Sequence, residues 1–210
     1  MTDGRMSRVS IRSNQVSEAR TVADSQFVAI DFETTGLYPS SDRIIELGGV
    51  RFTGRELAGQ PSAEFQALVN PGIPIGVDAA RISGITDSDV ADAPAIDEVM
   101  SGFLEFIGDA VIVAHNAPFD VGFLRAAVSR LGLPDVTNRI VDTIPLAMKA
   151  FPRRRSYGLQ NLAVELGLPP NQAHRALDDA VMCMRLFGRC VDELSFMGDL
   201  ALNDVLTEGA

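Results

Sequence analysis

Two acids two positions apart, Asp31 and Glu33, stand inside the run Phe27-Val28-Ala29-Ile30-Asp31-Phe32-Glu33-Thr34-Thr35-Gly36-Leu37. The run is apolar, β-branched or aromatic at most positions until Thr34-Thr35-Gly36 stops it, which predicts a buried strand. Side chains alternate along a strand, so both carboxylates share the face that carries Phe27 and Ala29. Like charges this close on an apolar strand repel, and at least one pKa must rise. A divalent cation between them removes the repulsion and turns the pair into a site. Two solvated acids at a strand end would give the same pattern, so the decision falls to the rest of the chain.

Two more acids qualify. His115-Asn116-Ala117-Pro118-Phe119-Asp120 leads into a helix predicted over 118–131, with Pro in its first turn and Gly132 as its stop. Asp120 aligns with Leu124, Ala127 and Leu131 at helical offsets, which puts it on an apolar, inward stripe. The helix dipole favours an acid in a first turn by ~0.3–1 kcal/mol, but that explains an exposed Asp better than an inward one. His115 closes the preceding strand and is read as a hydrogen-bonded support. The last helix opens at His174-Arg175-Ala176-Leu177-Asp178-Asp179-Ala180. Asp178 shares its stripe with Met182, Arg185 and Arg189, a solvated face. Asp179 shares its own with Cys183, Leu186 and Cys190 and points inward. His174 precedes the helix, so helical spacing does not fix its place relative to Asp179.

Four inward carboxylates and a histidine suit a hard cation, Mg²⁺ or Mn²⁺. Zinc would call for more His and Cys. Such a site suits metal-assisted hydrolysis of a phosphodiester, with two ions ~3.5–4 Å apart clamping the attacking and leaving oxygens. A histidine titrates near enough to neutrality for His174 to accept the proton of the attacking water.

The elements that must hold these residues follow in order. After the first strand, Arg43 to Phe52 and Ala63 to Val69 read as two more, a three-stranded antiparallel meander. Residues 70–94 are loop-rich, punctuated by Pro71, Pro74, Gly76 and Gly84. Residues 94–108 carry Ile96, Val99, Met100, Phe103, Leu104 and Ile107 at helical spacing. Val111 to Ala114 and Ile140-Val141 are short strands, and helices alternate with loops thereafter. Three strands followed by strand–helix alternation mean an α/β fold with a mixed sheet. No internal repeat is apparent.

Composition narrows the class. At 210 residues, 46% hydrophobic and 22% charged, the chain can bury a sizeable core in one domain. A net charge of −10 argues against bulk electrostatic binding of nucleic acid, but not against an enzyme gripping a few nucleotides at a metal site. Only Lys149 among the 18 basic residues is a lysine, a compositional bias. No apolar run approaches the ~20 residues of a membrane span, and no hydrophobic leader suggests secretion. Cys183 and Cys190, seven apart on one helical face without a CxxC, suit packing in a reducing compartment, and the cytoplasm is expected. Residues 1–24, with Arg and Ser between Arg5 and Arg20, are expected to form a disordered tail rather than a transit peptide. Residues 25–193 are expected to form the domain and 194–210 a tail or short helix that docks on it.

Three segments together carry a family resemblance. Asp31-Phe-Glu-Thr-Thr-Gly-Leu37, His115-Asn-Ala-Pro-Phe-Asp120 and His174-Arg-Ala-Leu-Asp-Asp-Ala180 resemble the three motifs of the DnaQ-like DEDDh exonucleases, which include the proofreading epsilon subunit of bacterial replicative polymerase. The resemblance covers about residues 26–190, and the segment from Arg43 to Phe52 is similar to the family's second strand. It implies an RNase H-like fold, a central mixed five-stranded sheet whose first three strands are antiparallel, flanked by helices. It also implies 3′→5′ exonucleolysis that releases nucleoside 5′-monophosphates from a DNA or RNA 3′ end. By the same resemblance Asp31 bridges two Mg²⁺ or Mn²⁺ ions, and Glu33 and Asp179 hold the ion that activates water. Asp120 serves the second ion, and His174 is the general base. Thr34, Thr35, Gly36 and Leu37 would hold the terminal nucleotide, with Leu37 against a base and Phe119 in the same groove. Ser83, in Ile82-Ser83-Gly84-Ile85-Thr86, stands where the family often has His.

Arg153-Arg154-Arg155 is the only dense basic cluster; a solvated loop and a clamp on the substrate backbone both account for it. Tyr157 beside it suits base stacking and core packing equally. The motifs leave open a polymerase-bound proofreader, an RNA-trimming or oligoribonucleotide-degrading enzyme, and a non-catalytic nucleic-acid-binding or scaffolding module. They are silent on oligomeric state.

Overall fold

The first strand sets the architecture because it is apolar on both sides. In the computed structural model, which describes residues 20–207 apart from residue 58, β1 (Gln26–Thr34) lies at the centre of one five-stranded sheet. The strand order is β3-β2-β1-β4-β5, with β2 (Ile44–Thr53), β3 (Ala63–Leu68), β4 (Val111–Ala114) and β5 (Ile140–Asp142). β1, β2 and β3 pair antiparallel, while β4 and β5 continue from β1 in parallel. The expected mixed sheet, antiparallel over its first three strands, is borne out.

Each face of the sheet buries its own core. Phe27 and Ala29 pack with Phe52, Cys183, Phe187 and Cys190 beneath α5 (Thr143–Ala150), α6 (Leu159–Glu165) and α7 (Ala176–Leu194). Val28, Ile30 and Phe32 pack with Phe103, Ile107, Phe123 and Leu124 beneath α3 (Ile96–Ile107) and α4 (Ala117–Arg130). The Phe187 ring lies 5.0 Å from that of Phe27, and Phe103 packs edge-on against Phe32 at 5.6 Å.

Three differences from the sequence reading have physical causes. The segment 70–94 carries two short helices, α1 (Val77–Ser83) and α2 (Asp87–Val90). Its punctuation marks their ends: Gly84 takes φ 71° after α1, and a Thr86–Asp89 capping box opens α2. Met182, assigned to a solvated stripe, is fully buried. Helix α7 packs against β1, β2, α5 and α6, so its buried arc is wider than one stripe, and only the Arg189 end of the stripe is exposed. Residues 1–19 of the expected tail lie outside the described residues, but Arg20 to Asp24 join the domain: Val22 is buried and donates its N–H to Leu200 O at 2.9 Å.

The C-terminal segment, with single 3₁₀ turns at Ser195–Met197 and Leu202–Asp204, places Leu202 and Val205 in the α7-side core. Thr207 donates its N–H to Ile140 O and accepts the Asp142 N–H on its hydroxyl at 2.7 Å, so the segment covers the outer edge of β5. Leu202→Ala is therefore expected to destabilise the protein by about 2–5 kcal/mol in urea unfolding; an unchanged midpoint would mean the segment contributes nothing to the core.

Candidate active site

The acids gather at the carboxyl end of β1, where it neighbours the parallel strand β4. Asp31 and Glu33 project on the α7 side of the sheet, and a register shift between Glu33 and Thr34 bends the chain away directly after them. Asp120 arrives from the other face: α4 starts one residue after Asn116, which sits in the left-handed region at φ 66°, and Asp120 is buried in the first turn. Its Oδ1 accepts the backbone N–H of Phe32, between the two strand acids, at 3.0 Å. Asp179, buried in the first turn of α7, is gripped at both oxygens. Oδ1 accepts the side-chain amides of Gln160 (2.7 Å) and Asn171 (2.8 Å), and Oδ2 accepts the N–H of His174 (2.7 Å). His174 itself is exposed and held at φ 62°.

The five sequence-assigned residues Asp31, Glu33, Asp120, Asp179 and His174 thus line a single cleft of about 350 Å³. Thr34, Thr35, Gly36, Leu37 and Phe119 line an adjoining, more apolar cleft of about 480 Å³ against α1, and Phe32, Glu33 and Phe119 border both. The second cleft is rimmed by Leu37, Val77 and Ile82, which are 72%, 84% and 54% exposed. Arg153, Arg154 and Arg155 line neither cleft. Arg154 pairs with Glu165 at 3.2 Å and lies over the Phe151 ring, while Arg153 and Arg155 are exposed. Tyr157 packs on the core and donates its hydroxyl to Phe151 O at 2.8 Å. Asp178 also lies outside both clefts. Ser83 receives the Ile85 N–H and donates to Ala79 O, a local cap at the end of α1.

The crowding has an electrostatic signature. Burial, then Asp120, Asp179 and Glu33, drive the Asp31 carboxyl well above its usual range. Burial, followed by Asp179 and Glu46 and opposed by Arg175, pushes Glu33 up to about 7. Burial likewise raises Asp120 and Asp179, against the N–H groups that bond them. Glu33, His174 and Asp179 can each bring one ligand atom within 4.8 Å of the others, a group able to hold a metal ion. Carboxylate oxygens that repel one another, with one imidazole beside them, match the demand of a hard divalent cation. His115 donates or accepts at Nδ1 with Thr143 Oγ1 (2.8 Å), while its buried Nε2 has no partner among the described residues; burial lowers its pKa.

Sequence reasoning missed Glu46, Gln160 and Asn171. Glu46 left a signal, an acid inside the apolar run Ile44-Ile45-Glu46-Leu47. The two amides left none, since only the fold brings α6 and the loop before α7 to Asp179.

A match to the RNase_T model, described as exonuclease, spans residues 28–187 and contains all of these acids. The chain belongs to the RNase_T exonuclease family. The resemblance to DnaQ-like enzymes is thereby borne out, and the domain is a 3′→5′ exonuclease, a phosphodiester hydrolase. It is 44% identical over 163 residues to the DNA polymerase III subunit epsilon of Treponema pallidum, covering 77% of this chain and 74% of that one. It is 39% identical over 190 residues to the PolC-type DNA polymerase III of Thermotoga maritima, covering 90% of this chain but only 14% of that much longer protein. Among solved structures, exonuclease X in complex with 5′-overhanging duplex DNA superposes with a TM-score of 0.62 at 30% identity, over 79% of this chain and 91% of that one. Escherichia coli exonuclease I with a dA16 oligonucleotide shares the fold, with a TM-score of 0.71 at 19% identity over 80% and 41% of the two chains. No helix among the described residues is long and apolar enough to cross a membrane.

The raised Glu33 pKa sets a pH dependence for the metal-free protein. A folded-state pKa above the unfolded value of 4.5 gives stability that is present below 4.5 and lost as pH rises through about 7. Between those limits the thermal midpoint should fall more steeply in the wild type than in Glu33→Gln. Parallel curves would show that Glu33 does not carry the charge strain.

Proposed function

We propose that this chain removes nucleoside 5′-monophosphates from the 3′ end of single-stranded or frayed DNA, as the proofreading exonuclease of a replicative polymerase in the cytoplasm. The observation that carries this reading is the continuity of the two clefts. One gathers four carboxylates and a histidine, and the other, bordered by the same Phe119 and Glu33, offers apolar walls wide enough for a base. Leu37 and Phe119 hold the terminal base, and the Thr34–Gly36 backbone holds its sugar and phosphate. The scissile phosphate then lies against the acids. DNA is favoured over RNA because the relatives above are polymerase III proteins.

Asp31, Glu33, Asp120 and Asp179 would hold the Mg²⁺ or Mn²⁺ ions of a two-metal site, and the fit is one of chemistry: four carboxylates and one imidazole line one cleft, and burial, with neighbouring acids at Asp31 and Glu33, disfavours leaving their charge uncompensated. Such ions stabilise the charge that develops on the attacking and leaving oxygens. His174, beside Glu33 and Asp179 and open to solvent, accepts the proton of the attacking water. A non-catalytic module would have no use for acids assembled against their mutual repulsion.

The test uses 5′-labelled DNA and RNA oligonucleotides of one sequence with Mg²⁺, Mn²⁺ or EDTA. A ladder shortening from the 3′ end of DNA, abolished by EDTA and by Asp31→Ala, is the expected result. Internal cleavage, or full activity of Asp31→Ala, would sink the assignment, and preference for RNA would move the enzyme to the RNA-trimming branch. His174→Ala is expected to cost about 10²–10⁴-fold in kcat, as loss of a general base does. Asp178→Ala is expected to leave kcat within about twofold, because Asp178 lines neither cleft.

A further inference from the structure

Glu46 and Arg175 have no part in the chemistry above, yet they are built into the site as firmly as its acids. Glu46 is fully buried in β2, directly across the antiparallel pair from Glu33. Its carboxylate accepts from Arg175 Nη2 (2.9 Å), Arg175 Nε (3.3 Å), the Ala176 N–H (3.1 Å) and Gln66 Nε2 (2.8 Å). A buried carboxylate persists only when it is paired and bonded. Three of these four bonds come from the two residues that follow His174.

The arrangement also solves a problem for α7. Its N-cap position, Arg175, has no side-chain cap, so the first N–H of the helix finds its acceptor on a strand instead. Gly48 makes the approach feasible, since a Cβ there would overlap the Ala176 carbonyl. His174 is therefore held from both sides. Arg175 and Ala176 tie it to β2, and its own N–H is bound to Asp179 Oδ2. It holds a left-handed φ of 62°, which a non-glycine residue keeps only where its surroundings impose it.

We propose that the Glu46–Arg175 pair is a positioning element that fixes the His174 imidazole against Glu33 and Asp179. The inference rests on the reading of His174 as proton acceptor. Arg175 spends its Nε and Nη2 on Glu46 and acts through the residue before it, not on the substrate.

The experiment compares kcat and KM on a 5′-labelled single-stranded DNA for the wild type, Arg175→Gln, Arg175→Lys, His174→Ala and the His174→Ala/Arg175→Gln pair. All are assayed with Mn²⁺ below each variant's melting transition. Arg175→Gln should lose about 10–100-fold in kcat with KM nearly unchanged, the cost of a misplaced reacting group. Arg175→Lys, which keeps the charge against Glu46 and the fold with it, should recover part of the loss. In the His174→Ala background, Arg175→Gln should cost less than about twofold, because a positioning residue has nothing left to position. Additive losses would overturn the proposal, as would a rise in KM at constant kcat, which would place Arg175 on the substrate phosphates. If Arg175→Gln does not fold, the same split read from Arg175→Lys decides. An inactive wild type would defeat the exonuclease reading itself, a result distinct from additivity in an active enzyme.

Discussion

Repulsion among carboxylates is the constraint on which the rest of this structure depends. Asp31 and Glu33 share one face of a strand that is apolar from Phe27 to Ile30 and again at Phe32, and Asp120 and Asp179 are driven toward them by helices from opposite layers. Nothing in the hydrophobic effect favours such a gathering. It is held by opposing commitments: the Phe32 N–H on Asp120, three donors on Asp179, and two large apolar cores that leave the helix starts no alternative position. A domain built this way concentrates negative charge that a bound cation would offset.

The supports around the acids divide the labour. Asp179 is gripped by amides, neutral donors that orient a carboxylate without discharging it. Glu46 is gripped by a guanidinium, which discharges it; despite its burial, the bonds from Arg175, Gln66 and Ala176 hold its pKa below the usual value. Asp179 holds the His174 N–H and Glu46 holds the two residues that follow it, but the first acid is left free to attract positive charge and the second is already neutralised. Arg175 also tempers Glu33, so the pair that anchors α7 sets part of the field in the cleft.

Much of this was legible before any coordinates. Alternation along β1 put Asp31 and Glu33 on one face, and helical offsets picked Asp120 and Asp179 over Asp178, because both periodicities are dictated by local geometry. What the periodicities could not convey were properties that depend on neighbouring elements. Met182 lay on a stripe with arginines, and only the breadth of the contacts around α7 buries it. The α1 and α2 turns are too short to establish a period, and their Pro and Gly flanks resemble a loop. Gln160 and Asn171 are common polar residues until the chain returns to Asp179. The side-chain amides and the Glu46–Arg175 pair belong to tertiary structure, whereas the acids belong to secondary structure.

The origin of the acids in separate layers has a consequence for how the protein comes into being. Asp31 and Glu33 sit on the middle strand, Asp120 on a helix of one face, and Asp179 on the last long helix of the other, some 150 residues further along the chain. No contiguous fragment short of nearly the whole domain contains a complete set. On the proposed assignment of these acids, a chain still being synthesised, or one with either helical layer detached, would lack part of the set, and cleavage would be withheld until the domain is whole. Folding acts here as the safety catch.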